Sequence, residues 1–176
     1  MGKFPLWYEI TREERYFTAV LFHDLRTAPN PFWNLLRTNS ISIASSEVVD
    51  VAFEVCFFRD AYLQKLVARK KDLEKQTFDF VLFLSTDEIV IIEAKAHQGF
   101  AKDQIDNLKK AKELIDHEKI FRTVYLAALF SSLYSPREST LKVFDNMYTT
   151  WKKLAQIPEY ARNAKFYERA DSIYHL

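Results

Sequence analysis

The sequence predicts one α/β domain in which a mixed β-sheet lies between helices, and three observations carry that expectation. Residues 49–58, VDVAFEVCFF, alternate with a period of two. Val49, Val51, Phe53, Val55 and Phe57 fall on one face and Asp50, Ala52, Glu54 and Cys56 on the other, a strand pattern written in β-branched and aromatic residues. Residues 78–95, FDFVLFLSTDEIVIIEAK, hold two strand-like runs around a polar turn at 85–88, the pattern of a hairpin. Residues 123–130, TVYLAALF, are apolar on both faces, as a central strand covered on both sides should be.

Helices complete the order. Thr11 followed by Glu14 has capping-box spacing and predicts a helix over 12–26, with Phe17, Val20, Leu21 and Leu25 as its inner stripe. APNPFW at 28–33 reads as a break. A short helix with Leu63, Leu66, Val67 and Leu73 is expected after the first strand. Another spans 102–117 with Leu108, Ala111 and Ile115 inward, and a last one spans 138–155 through Leu141, Phe144, Tyr148, Trp151 and Ala155. The stretch from Pro158 onward is too mixed to assign. Helix, strand, strand, strand, helix, strand, helix is the order of an α/β domain.

At 176 residues the chain is expected to form one domain, 1–176, with a real core. A hydrophobic content of 48% excludes a disordered chain, and no apolar run reaches membrane-spanning length, so no membrane partner is expected. The first residues lack the pattern of a secretory signal, and the single Cys56 cannot form an internal disulfide, which together point to a cytoplasmic setting. A net charge of +1 argues against coating nucleic acid through bulk charge. It permits a local basic face at Lys65, Arg69, Lys70 and Lys71 or at Lys109, Lys110 and Lys112, although each cluster also fits a solvated helix surface. With only two glycines there is no phosphate-binding glycine loop, so nucleotide-cofactor chemistry is not expected.

The hairpin carries Asp79, Glu93 and Lys95 on the most apolar segment of the chain, where an unpaired charge would cost several kcal/mol. Glu93 and Lys95, two apart on a strand, leave the same face. Asp79 depends on register. If residue 84 pairs with 89, Asp79 meets Ala94 and points away from Glu93; a three-residue loop or a bulge sets it opposite Glu93 or Lys95. The plain alternative is a cross-strand salt bridge at the sheet rim. If the carboxylates do converge, a hard divalent cation such as Mg²⁺ or Mn²⁺ would relieve their repulsion. His23, His97, His117 and His175 show no zinc-ligand spacing.

Asp79, thirteen intervening residues, then Glu93-Ala94-Lys95 across a hairpin, with a helix and an apolar strand after it, resembles the PD-(D/E)XK, restriction-endonuclease-like nuclease superfamily. The resemblance covers about 11–131, with Phe78 where the motif has proline. It implies a restriction-endonuclease-like αβββαβ core, with 132–176 as an extra C-terminal helical region. It also implies a Mg²⁺- or Mn²⁺-dependent nuclease hydrolysing phosphodiester bonds, with DNA the expected substrate and a homodimer compatible with cutting both strands. Asp79 and Glu93 would hold the metal, and Lys95 would assist the water. An acidic residue on the first helix would join them, best matched by Glu14, with Glu54 and Glu13 as alternatives; a capping role for Glu14 stays open. Gln104, in QIDNL, resembles a glutamine of some of these nucleases that would contact substrate or water, and a helix-capping role fits it equally. The competing reading is a non-catalytic nuclease-like module that binds nucleic acid or a partner protein.

Overall fold

The apolar runs of the sequence assemble into a five-stranded mixed sheet with helices on both faces. The computed structural model describes residues 5–38, 46–69 and 76–174. Along the chain these form α1 (Trp7–Ile10), α2 (Glu14–Thr27), α3 (Pro29–Arg37), β1 (Val48–Val55), α4 (Phe57–Leu63), β2 (Phe78–Leu84) and β3 (Glu88–Ala94). There follow α5 (Lys102–Glu118), β4 (Thr123–Phe130), α6 (Glu138–Val143), β5 (Tyr148–Thr150), α7 (Trp151–Leu154), a 3₁₀ segment at Pro158–Asn163 and α8 (Ala164–Ser172). The strands lie in the order β1-β2-β3-β4-β5, antiparallel through β3 and parallel from β3 to β5.

Alternation along β3 divides the core. Val90, Ile92 and Ala94 face the layer of α2, α3, α7 and α8, packing with Phe17, Leu21, Trp33 and Trp151. Ile89 and Ile91 face the layer of α4 and α5, packing with Phe58, Leu108, Ala111 and Ile115. The predicted inner stripe of the helix at 102–117 is therefore observed, and β4 lies between β3 and β5 with its last five residues buried. Among the described residues no helix is long and apolar enough to cross a membrane.

Register decides the hairpin. Phe83 pairs with Ile89 and Phe80 with Ile92, so a three-residue connection, 85–87, joins β2 to β3. Asp87 takes the left-handed conformation that such a loop needs, φ 58°, a position an aspartate tolerates better than most residues.

Several expectations require correction. The Thr11–Glu14 capping box does not form: α2 begins at Glu14, and its preceding residue, Glu13, offers no side-chain cap. Thr11 instead accepts a bond from the Glu13 N–H at 3.2 Å, because the Glu14 carboxylate is drawn to the sheet. The break at 28–33 narrows to Ala28, since Pro29 and Pro31 are placed at the start of a new helix, where a missing N–H costs nothing. The first strand stops at Val55, and its alternation fails where the register shifts between Val48 and Asp50 and where Glu54 turns left-handed at φ 51°. Val49 is consequently 65% exposed, and Phe57 lies on α4 rather than on the strand. Leu63 and Leu66 are exposed while Val67 is buried; Leu73, Lys70 and Lys71 lie outside the described residues.

The helix expected at 138–155 is three elements. Asp145 and Asn146 both adopt left-handed angles, φ 52° and 55°, which end α6 and release Tyr148–Thr150 to pair with β4 as β5. Nor is the chain after 131 purely helical or set apart. Met147, Trp151, Leu154, Tyr160 and Tyr167 are buried in the same core as α2, and the Tyr167 hydroxyl donates to Asp24 on that helix.

Candidate active site

The last register pair, Phe80 with Ile92, makes Asp79 and Glu93 the next opposed pair, on one face of the sheet. The ladder gives way there: the Asp79 Oδ2 accepts the Ala94 N–H at 2.8 Å, so a carboxylate takes a place that backbone would otherwise fill. One residue on, the Lys95 N–H donates to the Leu129 carbonyl at 2.7 Å and the Lys95 carbonyl accepts from the Trp151 indole at 2.9 Å. The main chain of Lys95 is thus fixed by β4 on one side and α7 on the other.

The side chains converge at that point. The Lys95 Nζ donates to Glu93 Oε1 at 3.1 Å and to Glu14 Oε1 at 3.2 Å. Glu14, the first residue of α2, also accepts the Ala96 N–H at 2.7 Å through its other oxygen. From the opposite layer, Gln104 in the first turn of α5 donates to Glu93 Oε1. Two helices in different layers therefore point their N-terminal ends at the end of β3, which favours negative charge there. Both alternative structural roles fail on these contacts: Glu14 does not cap its own helix and Gln104 does not cap α5. Glu93 and Lys95 are each only 6% exposed, so the pair is not a solvated salt bridge at a sheet rim.

Glu54 and Glu13 fare differently. Glu54 binds the exposed Arg15 guanidinium, and Glu13 is the uncapped residue before α2. Both still line a cavity of about 290 Å³ that includes Glu14, Thr77, Asp79 and His97. Glu93 opens into an adjoining cavity of about 460 Å³ with Thr77, Asp103, Gln104 and Asn107. Thr77 belongs to both, so the two carboxylates border neighbouring spaces rather than one bowl. His97 lay outside the sequence reading as a site residue; its buried Nδ1 has no partner, and its place two residues past Lys95 was the available signal. Trp151 was missed because it was assigned to the stripe of a long helix.

Burial dominates the electrostatics. It pushes the Glu93 carboxyl up to about 8, helped by the charge of Asp79 and opposed by Lys95. Asp79 rises to about 6, again through burial, although the Ala94 N–H and Lys95 pull it down. Burial would lower the Lys95 ammonium, but the attraction of Glu93 and Glu14 outweighs it and leaves the group above its ordinary value. The cluster thus holds three carboxylates against one ammonium and is short of positive charge.

That deficit defines what the site can hold. Among the described residues no three His, Cys, Asp or Glu side chains stand as a ready metal-binding group. Both Glu14 oxygens are hydrogen-bonded, whereas among the described residues Asp79 and Glu93 each engage one oxygen, Oδ2 and Oε1, and keep Oδ1 and Oε2 for a cation. Two carboxylates with waters suit Mg²⁺ or Mn²⁺, which keep much of their hydration.

Comparison with known proteins finds no matching family model, no matching curated protein and no matching solved structure.

Proposed function

We propose that the chain is a divalent-metal-dependent nuclease with a restriction-endonuclease-like core, hydrolysing phosphodiester bonds in DNA. The observation that carries this reading is the three-residue hairpin connection, which turns Asp79 toward Glu93 while Lys95 stands between Glu93 and Glu14. A structural salt bridge needs one carboxylate for the lysine; this cluster gathers three and buries two of the four groups almost completely. Such an assembly is costly unless it serves a site.

Asp79 and Glu93 would hold the metal, which supplies positive charge and a more acidic bound water. Lys95 is poised to donate a hydrogen bond to the attacking water or to a phosphoryl oxygen as charge develops there. Glu14 orients the Lys95 ammonium, and Gln104 fixes the Glu93 carboxylate from the other layer. Water adds to phosphorus, the bond to the leaving sugar oxygen breaks, and that oxygen takes up a proton.

Incubation with labelled single- and double-stranded DNA and RNA, with Mg²⁺, Mn²⁺ or chelator, tests the proposal. Cleavage should require the divalent ion and disappear in Asp79→Ala and Lys95→Ala. No cleavage of any substrate, together with no saturable divalent-specific rise in melting temperature, would leave only the non-catalytic binding module.

A further inference from the structure

Helix α5 separates two cavities of opposite character. Gln104, Asn107 and Leu108 line the one beside Glu93, whose lining among the described residues includes Asp103 and no cation. Lys102, Ile105, Asp106 and Lys109 recur at helical spacing on the other flank and line a second cavity of about 500 Å³. Its far wall is the segment after β4, with Tyr134, Arg137 and the hydroxyls of Ser139 and Thr140. Three cations, Lys102, Lys109 and Arg137, meet one carboxylate, Asp106, in that lining.

These cations stand apart from their neighbours. Lys112 is held by Asp145 at 2.7 Å and Lys142 by Glu138 at 2.7 Å. Lys102, Lys109 and Arg137 are exposed and enter no ion pair among the described residues. Beside them lie two half-buried rings, Phe100 and Tyr134, with centroids 6.0 Å apart. Gly99 permits this wall: a Cβ there would stand 2.8 Å from the Tyr134 ring, so the ring lies directly against the chain leaving β3. Only five residues lead from Lys95 to Phe100, which puts the cavity within about 17 Å of the candidate site even for fully extended chain.

We propose that this second cavity is a nucleic-acid subsite that receives unpaired nucleotides of the strand being cut. Lys102, Lys109 and Arg137 bind its phosphates, and Phe100 and Tyr134 offer faces on which a base stacks. The identity of the polyanion rests on the nuclease reading above. A concave space of this volume is of the size that receives a small ligand such as a single nucleotide, and cations beside aromatic rings are the combination that single strands use. The cavity at Glu93 presents no exposed cation to phosphate among the described residues, so the basic flank supplies the hold on substrate that the cutting position lacks.

The experiment measures binding of a labelled 20-nucleotide single-stranded DNA, and of its duplex, by anisotropy in chelator across a salt series. The wild-type protein should bind the single strand more tightly than the duplex. Lys109→Ala/Arg137→Ala, at two exposed positions, should weaken single-strand binding about tenfold and flatten the salt dependence by about 1.4 in logarithmic slope. Lys153→Ala/Arg162→Ala, which removes two exposed cations from the opposite layer, should stay within about twofold of wild type. Unchanged affinity in the first variant, equal loss in both, or tighter duplex binding overturns the subsite. Cleavage is scored separately. Metal-dependent cutting with normal binding by the first variant keeps the nuclease and removes the subsite, and selective loss of binding in a protein that never cuts does the reverse.

Discussion

Replacing Glu93 by glutamine separates a burdened active-site carboxylate from a comfortable salt-bridge partner, because the two respond oppositely to pH. The folded protein raises this carboxyl from 4.5 to about 8, chiefly through burial. Between those values the folded state holds a proton that the unfolded state has released, so stability falls as pH rises through the window. At roughly 1.4 kcal/mol per tenfold the full rise corresponds to about 5 kcal/mol, and about half of that is a fair expectation once the fields of Asp79 and Lys95 readjust. Glutamine keeps the shape and removes the titration. It also loses a charge-assisted bond from Lys95, worth about 1–3 kcal/mol.

At pH 5 the wild type carries little of the penalty, so Glu93→Gln should be equal or slightly less stable. By pH 8 the variant should overtake it, with a swing of about 2–4 kcal/mol across the range, or about 4–16 °C in melting temperature for a domain of this size. Melting curves of both proteins in chelator, from pH 5 to 8.5, give the result. A difference that stays flat with pH would mean that Glu93 is ionised throughout, and the reasoning from burial and charge deficit would be wrong.

The remaining expectations follow from the same contacts. Lys95→Ala should abolish cleavage and lower stability by about 3–5 kcal/mol, since it strips the cation from buried carboxylates; Mg²⁺ should raise its melting temperature more than that of the wild type. Glu14→Gln should raise the metal concentration needed for half-maximal cleavage by removing a negative charge beside Asp79 and Glu93, and should cost about 1–3 kcal/mol through the lost charge-assisted bond from Lys95, although glutamine can still accept the Ala96 N–H. Glu54→Gln should change stability by no more than its exposed ion pair with Arg15 allows, at most about 1 kcal/mol, and leave metal dependence unchanged; a shift in metal dependence there instead would move the third acidic role to β1. Trp151→Phe should cost about 1–2 kcal/mol by leaving the Lys95 carbonyl without its donor, and should reduce turnover more than metal affinity.

Much of this arrangement was legible in the sequence where periodicity was strong. The stripe Leu108, Ala111, Ile115 fixed α5, and the all-apolar TVYLAALF gave β4, because burial of whole faces leaves little choice of residue. The site was legible as a conditional: Asp79 and Glu93 could meet only across an odd connection, and hairpin loop length is set by a local angle at Asp87 that alternation does not encode. Where single residues turn left-handed, the pattern misled. Glu54 breaks the face assignment of β1, and Asp145–Asn146 cut a helical stripe that otherwise runs unbroken from Leu141 to Ala155. The pair Asp145-Asn146, followed after Met147 by the strand-favouring Tyr148-Thr149-Thr150, was the available warning, since Asp and Asn tolerate the left-handed region better than most.

Misreading that stripe hid the part of the chain that supports the site. With 138–155 as one helix, everything after 131 reads as an attachment to a finished core. With β5 in place, α7 starts directly beside the end of β3, and Trp151 reaches the Lys95 carbonyl from a fully buried position. Lys95 follows the last residue of β3, so its main chain lies just past the end of that strand. Its backbone is clamped between the Leu129 carbonyl and the Trp151 indole. A lysine side chain has four rotatable bonds and can point an ammonium usefully only if its base is fixed. The segment without a counterpart in the resemblance therefore contributes positional rigidity to the residue on which the proposed chemistry most depends.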